Sequence, residues 1–126
     1  MDRTHLNGGQ MVYVHKTHEF VGLGHHVYWD PLNPSHRLYN IHFLFTLEAR
    51  PPFALRRVSP EFCFETTAGG RPGECEKRQF AMGLELVELA TGEEALLIPY
   101  GVNNFEAKSF ILPLGQALGM LRAIAE

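Results

Sequence analysis

A two-residue alternation of apolar and polar side chains constrains the fold of this chain more than any other feature. Between residues 39 and 48, one set of alternate positions is wholly apolar, and the intervening set is polar except at Leu44. The apolar set comprises Tyr39, Ile41, Phe43, Phe45 and Leu47. Successive side chains of a β-strand point to opposite faces of the sheet, so the pattern predicts a long strand with one buried face.

Proline and glycine residues divide the chain into pieces of strand length. The pair Pro51-Pro52 ends the long strand, because proline fixes φ and lacks a backbone N–H for the ladder. Residues 53–58 are predicted to return beside that strand as a hairpin partner. A glycine-rich loop over residues 66–73 separates the strands of 9–65 from those of 78–111. The prediction is about seven strands in two small antiparallel sheets.

Only the end of the chain changes its periodicity. Pro113 suits the first position of a helix, and Leu114, Ala117, Leu118 and Leu121 recur at helical spacing. This stripe predicts an amphipathic helix over residues 113–125. We expect its stability to come from docking against the sheets.

The predicted fold class is all-β, a single domain of two antiparallel sheets with a carboxy-terminal α-helix. The side chains expected in the core include Phe43, Phe45, Phe80, Met82, Leu84, Leu97 and Leu118. Two architectures satisfy the pattern: a compact sandwich of stacked sheets, or two consecutive propeller-like blades. Alternation alone does not distinguish them.

The composition excludes several classes of function. Of the 126 residues, 45% are hydrophobic and 20% are charged, which is typical of a globular domain and not of a disordered chain. The net charge is −3, and no basic run is present that would neutralise a nucleic-acid backbone. No apolar stretch is long enough to cross a membrane as a helix. Neither nucleic acid nor a membrane is therefore a predicted partner, and the localisation is left open.

The two cysteines, Cys63 and Cys75, flank the loop between the predicted sheets. Their positions permit one disulfide bridge across that loop. Neither lies in a recognisable nucleophile motif with a histidine, so no catalytic cysteine is predicted. The redox state of the pair is left open.

Three blocks of the sequence resemble a known family. They are PPFALRRVSP from Pro51, QFAMGLE from Gln79 and YGVNNFEA from Tyr100, in the order and spacing of the last two blades of a five-bladed β-propeller. That family resembles the glycoside hydrolases and the inverting mannoside phosphorylases, and it includes glycosyltransferase-associated domains. The resemblance implies a partial β-propeller with a carbohydrate-related function. Because five blades need a longer chain, we expect either the remainder of a longer propeller or a homo-oligomer.

The resemblance and the alternation together predict a sugar-binding site at one end of the strands. Its residues are His15, His42, Gln79, Tyr100, Asn103, Asn104 and Glu106. Imidazole, amide, carboxylate and phenol groups suit the recognition of sugar hydroxyls. The family pattern has an aspartate where this chain has Asn104, and Glu106 alone cannot supply the two carboxyl groups of glycoside hydrolysis. Sugar recognition is therefore favoured over turnover, no catalytic residue or cofactor is assigned, and any activity would be related to glycosidases or glycosyltransferases.

Two other functions remain open. One is a non-catalytic structural or oligomerisation domain. The other is a small metal-binding β-sandwich, because all seven histidines lie within the first 42 residues. His15 and His18 point to opposite faces in a continuous strand, so they would share a metal ion only if the chain turns between them. No metal site is included in the main prediction.

Overall fold

The computed structural model of the protein describes residues 3–6, 11–64, 79–102 and 106–124. The strands of the first half are β1 (Arg3–Leu6), β2 (Val12–Val14), β3 (Glu19–Asp30), β4 (Asn33–Glu48) and β5 (Leu55–Val58). The second half contains β6 (Gln79–Ala81), β7 (Glu85–Glu88), β8 (Glu94–Val102), β9 (Glu106–Pro113), α1 (Leu114–Met120) and β10 (Arg122–Ala123).

The first sheet is built around the long hairpin of β3 and β4. The pairing begins with Glu19 opposite Glu48 and continues to Asp30 opposite Asn33. Both β1 and β2 pair with the other edge of β3, whereas β5 pairs with β4 and β10 pairs with β5. Every pairing is antiparallel. The long strand predicted from the alternation is therefore confirmed.

The second sheet is built around β8. The strand β9 pairs along one edge of β8, and the short strands β6 and β7 pair with different parts of its other edge. Side chains from both sheets form one hydrophobic core, which includes Val21, Leu23, Leu44, Leu96 and Ile98. Two antiparallel sheets with a helix near the carboxy terminus confirm the all-β fold class, and the described strands form no closed barrel.

The face of β4 that lies against the second sheet is not the one that the alternation predicts. Leu44, the single apolar residue of the supposed polar face, is in the shared core, and its neighbours His42 and Thr46 are also buried. We call this the inner face. Phe43 and Phe45 lie on the outer face, and they are buried as well because their rings cover Gly24 and Gly22 on β3. The strand is thus buried on both faces, whereas the sequence predicts burial of one.

The burial predicted for Phe80 and Met82 is wrong. Phe80 is 44% exposed and Met82 is 58% exposed, while Gln79 and Ala81 on the same strand are buried. The strand β6 ends at Ala81, and the irregular backbone that follows changes the alternation, so that Leu84 is buried as predicted. The predicted burial of Phe43 and Phe45 is also confirmed, and Leu97 and Leu118 are half-buried.

The helix is shorter than the sequence predicts. It contains seven residues, and Leu114 and Ala117 pack into the core together with Leu121 just after it. The chain then returns to the first sheet, where Arg122 pairs with Val58. The predicted helix over residues 113–125 therefore ends early, because Arg122 and Ala123 pair with β5 as a short strand instead of extending the helix. No helix in the described part of the chain is long and apolar enough to span a membrane.

Cys63 is disulfide-bonded. The only other cysteine of the chain is Cys75, which lies outside the described residues. The structure therefore gives Cys63 in its oxidised, disulfide-bonded state.

Candidate functional site

Three of the predicted sugar-binding residues come together in the interior. His42 lies on β4, Gln79 on β6 and Tyr100 on β8, and all three are buried. Gln79 Oε1 accepts a hydrogen bond from the backbone N–H of Phe64 (2.9 Å), and the rings of Tyr100 and Phe64 lie 4.7 Å apart. Gln79 thus uses its side-chain oxygen, and Tyr100 its ring, in contacts with the segment that follows β5.

His42 is 1% exposed, and its Nε2 accepts a hydrogen bond from the backbone N–H of Ala81 at 3.2 Å. Burial lowers the pKa of His42 to about 3, with a smaller contribution from the neighbouring charge of His25. The imidazole is therefore neutral at ordinary pH, and a neutral ring offers one nitrogen as an acceptor. The Phe64 ring, 4.5 Å away, covers it.

Strand register creates a histidine row that the sequence does not reveal. His5 on β1 is opposite His25 on β3, and His25 is opposite His42 on β4. The imidazoles of His25 and His42 lie 5.9 Å apart, and Phe80 lies 5.7 Å from His25. The sequence separations of these histidines give no hint of the row, because only the pairing of three strands aligns them.

The remaining predicted residues lie elsewhere. His15 is exposed in the turn between β2 and β3 of the first sheet. Glu106 is exposed on β9 of the second sheet, with its carboxylate 3.7 Å from Lys108 Nζ. Asn103 and Asn104 lie outside the described residues. The ligand-binding role of the predicted group stays a prediction.

An exposed apolar row crosses the outer face of the first sheet. Tyr13 is opposite Phe20, Phe20 is opposite Leu47, and Leu47 is opposite Leu55. Phe53 adds a ring 6.4 Å from that of Phe20. Tyr13 and Phe53 are 41% and 47% exposed, and Leu55 is exposed to a similar extent. We call these five residues the outer row. The alternation of the sequence does not predict this row, although Tyr13 and Phe20 lie at equal distances from the turn at residues 15–18, as residues paired across a hairpin do.

Imidazoles border the outer row at the β2–β3 turn. The Tyr13 hydroxyl is hydrogen-bonded to His18 Nδ1 at 2.9 Å, and the His15 and His18 rings are 5.7 Å apart. His18 and Phe53 both adopt a left-handed backbone, with φ of 54° and 58°. Such values are uncommon for residues other than glycine and often mark functional positions. Both residues lie at the outer row or its border.

A partly buried ion pair, in which the Glu19 carboxylate is buried and the Arg57 side chain is 25% exposed, lies on the inner face beneath the outer row. The Glu19 carboxylate on β3 accepts hydrogen bonds from Thr46 Oγ1 on β4 (2.9 Å) and from Arg57 Nε on β5 (3.2 Å). Burial by itself raises the pKa of Glu19, but hydrogen bonds from Arg57 and Thr46 and the charge of Arg57 outweigh it and lower the pKa. The Glu19 carboxylate thus connects β3, β4 and β5, three of the strands that carry residues of the outer row.

Beside Tyr13, an open cleft of about 440 Å³ separates the edges of the two sheets. It is lined by Met11, Val12, Tyr13, Leu84, Glu85 and Leu86. Among the residues that the structure describes, no group of three or more histidine, cysteine, aspartate or glutamate side chains is arranged to hold a metal ion.

No family model, curated protein or solved structure matches this chain.

Proposed function

We propose that this protein is a carbohydrate-binding domain that holds a sugar against the outer row. The observation that carries the proposal is the exposure of two aromatic side chains, Tyr13 and Phe53, whose rings both contact that of Phe20 on one face of the first sheet. Large exposed apolar groups in one patch are typical of a binding surface.

The chemistry of the outer row and its border suits a polyol with apolar C–H faces. Aromatic rings offer apolar area to a sugar ring, and Tyr13, His15 and His18 offer donors and acceptors to its hydroxyl groups. A few placed polar groups beside apolar surface are the usual composition of a small-molecule site. The resemblance to carbohydrate-related propellers supports the same ligand class. As part of the same proposal, the two sheets are two consecutive blades of a propeller.

The sheet beneath the outer row is held in a fixed geometry. The Glu19 carboxylate connects β3, β4 and β5 on the inner face, and Phe45 covers Gly22 on the outer face. A binding surface on rigid strands loses little conformational entropy when a ligand docks. This rigidity favours recognition of a ligand by a preformed surface.

Binding without turnover is the form of the proposal that the positions of Glu19 and Glu106 favour. Glycoside hydrolysis needs two carboxyl groups across the scissile bond. Glu19 is buried against Arg57, and Glu106 is on the other sheet from the outer row. Neither is placed to act on a sugar at the outer row.

A titration with mono- and disaccharides, followed through backbone amide NMR shifts, tests the proposal. We expect shifts at residues 13–20 and 47–55. Tyr13→Ala and Phe53→Ala should each weaken binding by about tenfold, equivalent to about 1.4 kcal/mol. The matched controls are Phe80→Ala and Ile111→Ser, which remove exposed apolar side chains from the second sheet and should leave affinity unchanged. The absence of any shift across the sugars, or shifts confined to the second sheet, contradicts the proposal.

The outer row also favours a second candidate function, self-association. The apolar surface of the outer row, in which Tyr13, Phe53 and Leu55 are exposed, could pair with the same face of another copy. Sedimentation distinguishes the two functions. A dimer that dissociates in the Leu55→Asp variant supports self-association. A monomer at all concentrations contradicts self-association, and sugar binding is then the function proposed for the outer row.

A further inference from the structure

The turn at residues 15–18 brings two imidazoles together. His15 and His18 would point to opposite faces of a continuous strand. In the structure the chain turns between β2 and β3, and the two ring centres lie 5.7 Å apart. The condition under which these histidines could share a metal ion is therefore met.

The separation of the rings suits one shared ion. A metal ion bound at about 2.0–2.1 Å to one nitrogen of each ring would set the ring centres about 5.2 Å apart at a tetrahedral angle. The observed 5.7 Å differs from this by about half an ångström, which small rotations of two exposed side chains supply.

Tyr13 supports the geometry of such a site. Its hydroxyl is hydrogen-bonded to His18 Nδ1 at 2.9 Å. Metal-binding histidines usually use their second ring nitrogen in a hydrogen bond to an oxygen atom, which fixes the tautomer and the orientation of the ring. With Nδ1 of His18 held by Tyr13, Nε2 is the nitrogen that remains for an ion.

We propose that His15 and His18 bind a divalent transition-metal ion, with Tyr13 as a positioning residue for His18. Two imidazoles leave further coordination positions for water, and nitrogen ligands of this kind bind Cu²⁺ more tightly than Zn²⁺. This site does not rest on the proposed sugar binding, although it borders the same surface.

A second pair of histidines in the same fold provides an internal comparison. His25 and His42 are 5.9 Å apart, but His42 is buried and its Nε2 accepts the Ala81 N–H. An ion at that nitrogen would have to displace the hydrogen bond and leave a buried donor unsatisfied, which costs about 1–3 kcal/mol. The geometry therefore favours the exposed pair, His15 and His18, as the ligands of a metal ion.

Two measurements on the sugar-free protein test the proposal. In NMR spectra, substoichiometric Cu²⁺ should broaden the signals of residues 13–20 first. In calorimetry with Zn²⁺, we expect one site per chain. His15→Ala and His18→Ala should each weaken it by more than about tenfold, and Tyr13→Phe by about tenfold, the usual effect of a lost orienting group.

The control is His26→Ala, which removes a half-buried imidazole of β3 outside the turn and should leave Zn²⁺ affinity unchanged. Retained affinity in either His15→Ala or His18→Ala overturns the site, as does broadening centred on His25, His26 or β1. An unchanged affinity in Tyr13→Phe removes its positioning role. Sugar titrations repeated with a chelator test the outer row by itself, so failure of one proposal is distinguishable from failure of the other.

Discussion

His42 and Ala81 are joined by a hydrogen bond that crosses from one sheet to the other. The backbone N–H of Ala81 on β6 donates to Nε2 of His42 on β4 over 3.2 Å, in a region that water does not reach. A protonated imidazole has no acceptor nitrogen, so this contact exists only while His42 is neutral. The sheet interface is therefore sensitive to acid.

We expect the free energy of unfolding to fall as the pH is lowered from 6.5 towards 3. The pKa of His42 lies near 3 in the fold, against 6.5 for an ordinary histidine, so the unfolded chain binds the extra proton throughout this range. Glu19, whose pKa is lowered from 4.5, adds a further loss that begins only once the pH falls below about 4.5.

The variant His42→Gln isolates the histidine contribution. A glutamine oxygen can accept the Ala81 N–H but does not titrate, so the decline between pH 6.5 and 4.5 should become shallower. Urea unfolding of both proteins over this interval measures the difference. Identical slopes would show that other groups dominate.

Two adjacent arginines should differ sharply in their importance. Arg57→Ala leaves the buried Glu19 carboxylate without its main partner, and we expect a loss of about 3 kcal/mol in unfolding free energy. Arg56 has a side chain that is 54% exposed, so Arg56→Ala should change stability by less than about 1 kcal/mol. Denaturant titrations of the two variants provide the comparison. Equal effects would mean that the ion pair does not stabilise the three strands.

Glycine-to-alanine substitutions should act in opposite directions at two positions. A Cβ on Gly24 would lie 2.5 Å from the Phe43 ring, and the displacement of that buried ring should cost about 1–3 kcal/mol. Gly119 is in α1, and a Cβ there meets nothing within 4 Å. Gly119→Ala should therefore stabilise the protein by about 0.5–1 kcal/mol. Thermal unfolding reports both signs, and destabilisation by both variants would contradict the open space at the helix.

Leu84 and Phe80 should differ in their contribution to stability, although the alternation predicts that both are buried. Leu84→Ala should lose about 2–5 kcal/mol, because Leu84 is buried in the shared core. Phe80→Ala should lose much less, since its ring is largely outside the core and in contact with His25. A comparison of their urea midpoints checks this, and an equal or larger loss for Phe80→Ala would favour the uninterrupted alternation.

Local sequence determined most of the secondary structure. Alternation over residues 39–48 predicted β4, and Pro51-Pro52 predicted its end, because both signals depend only on neighbouring residues. The turn between His15 and His18 was recognised as a condition but could not be predicted from the alternation.

Tertiary structure decided which faces are buried and which residues meet. Leu44 is in the shared core because the second sheet packs against the face of β4 that carries it. Phe43 is on the opposite face, and it is buried because its ring packs over Gly24, which has no side chain. The outer row likewise exists only through the pairing of distant strands. A strand's periodicity specifies two faces, but the second sheet and the strand register, which depend on contacts far apart in sequence, assign a role to each face.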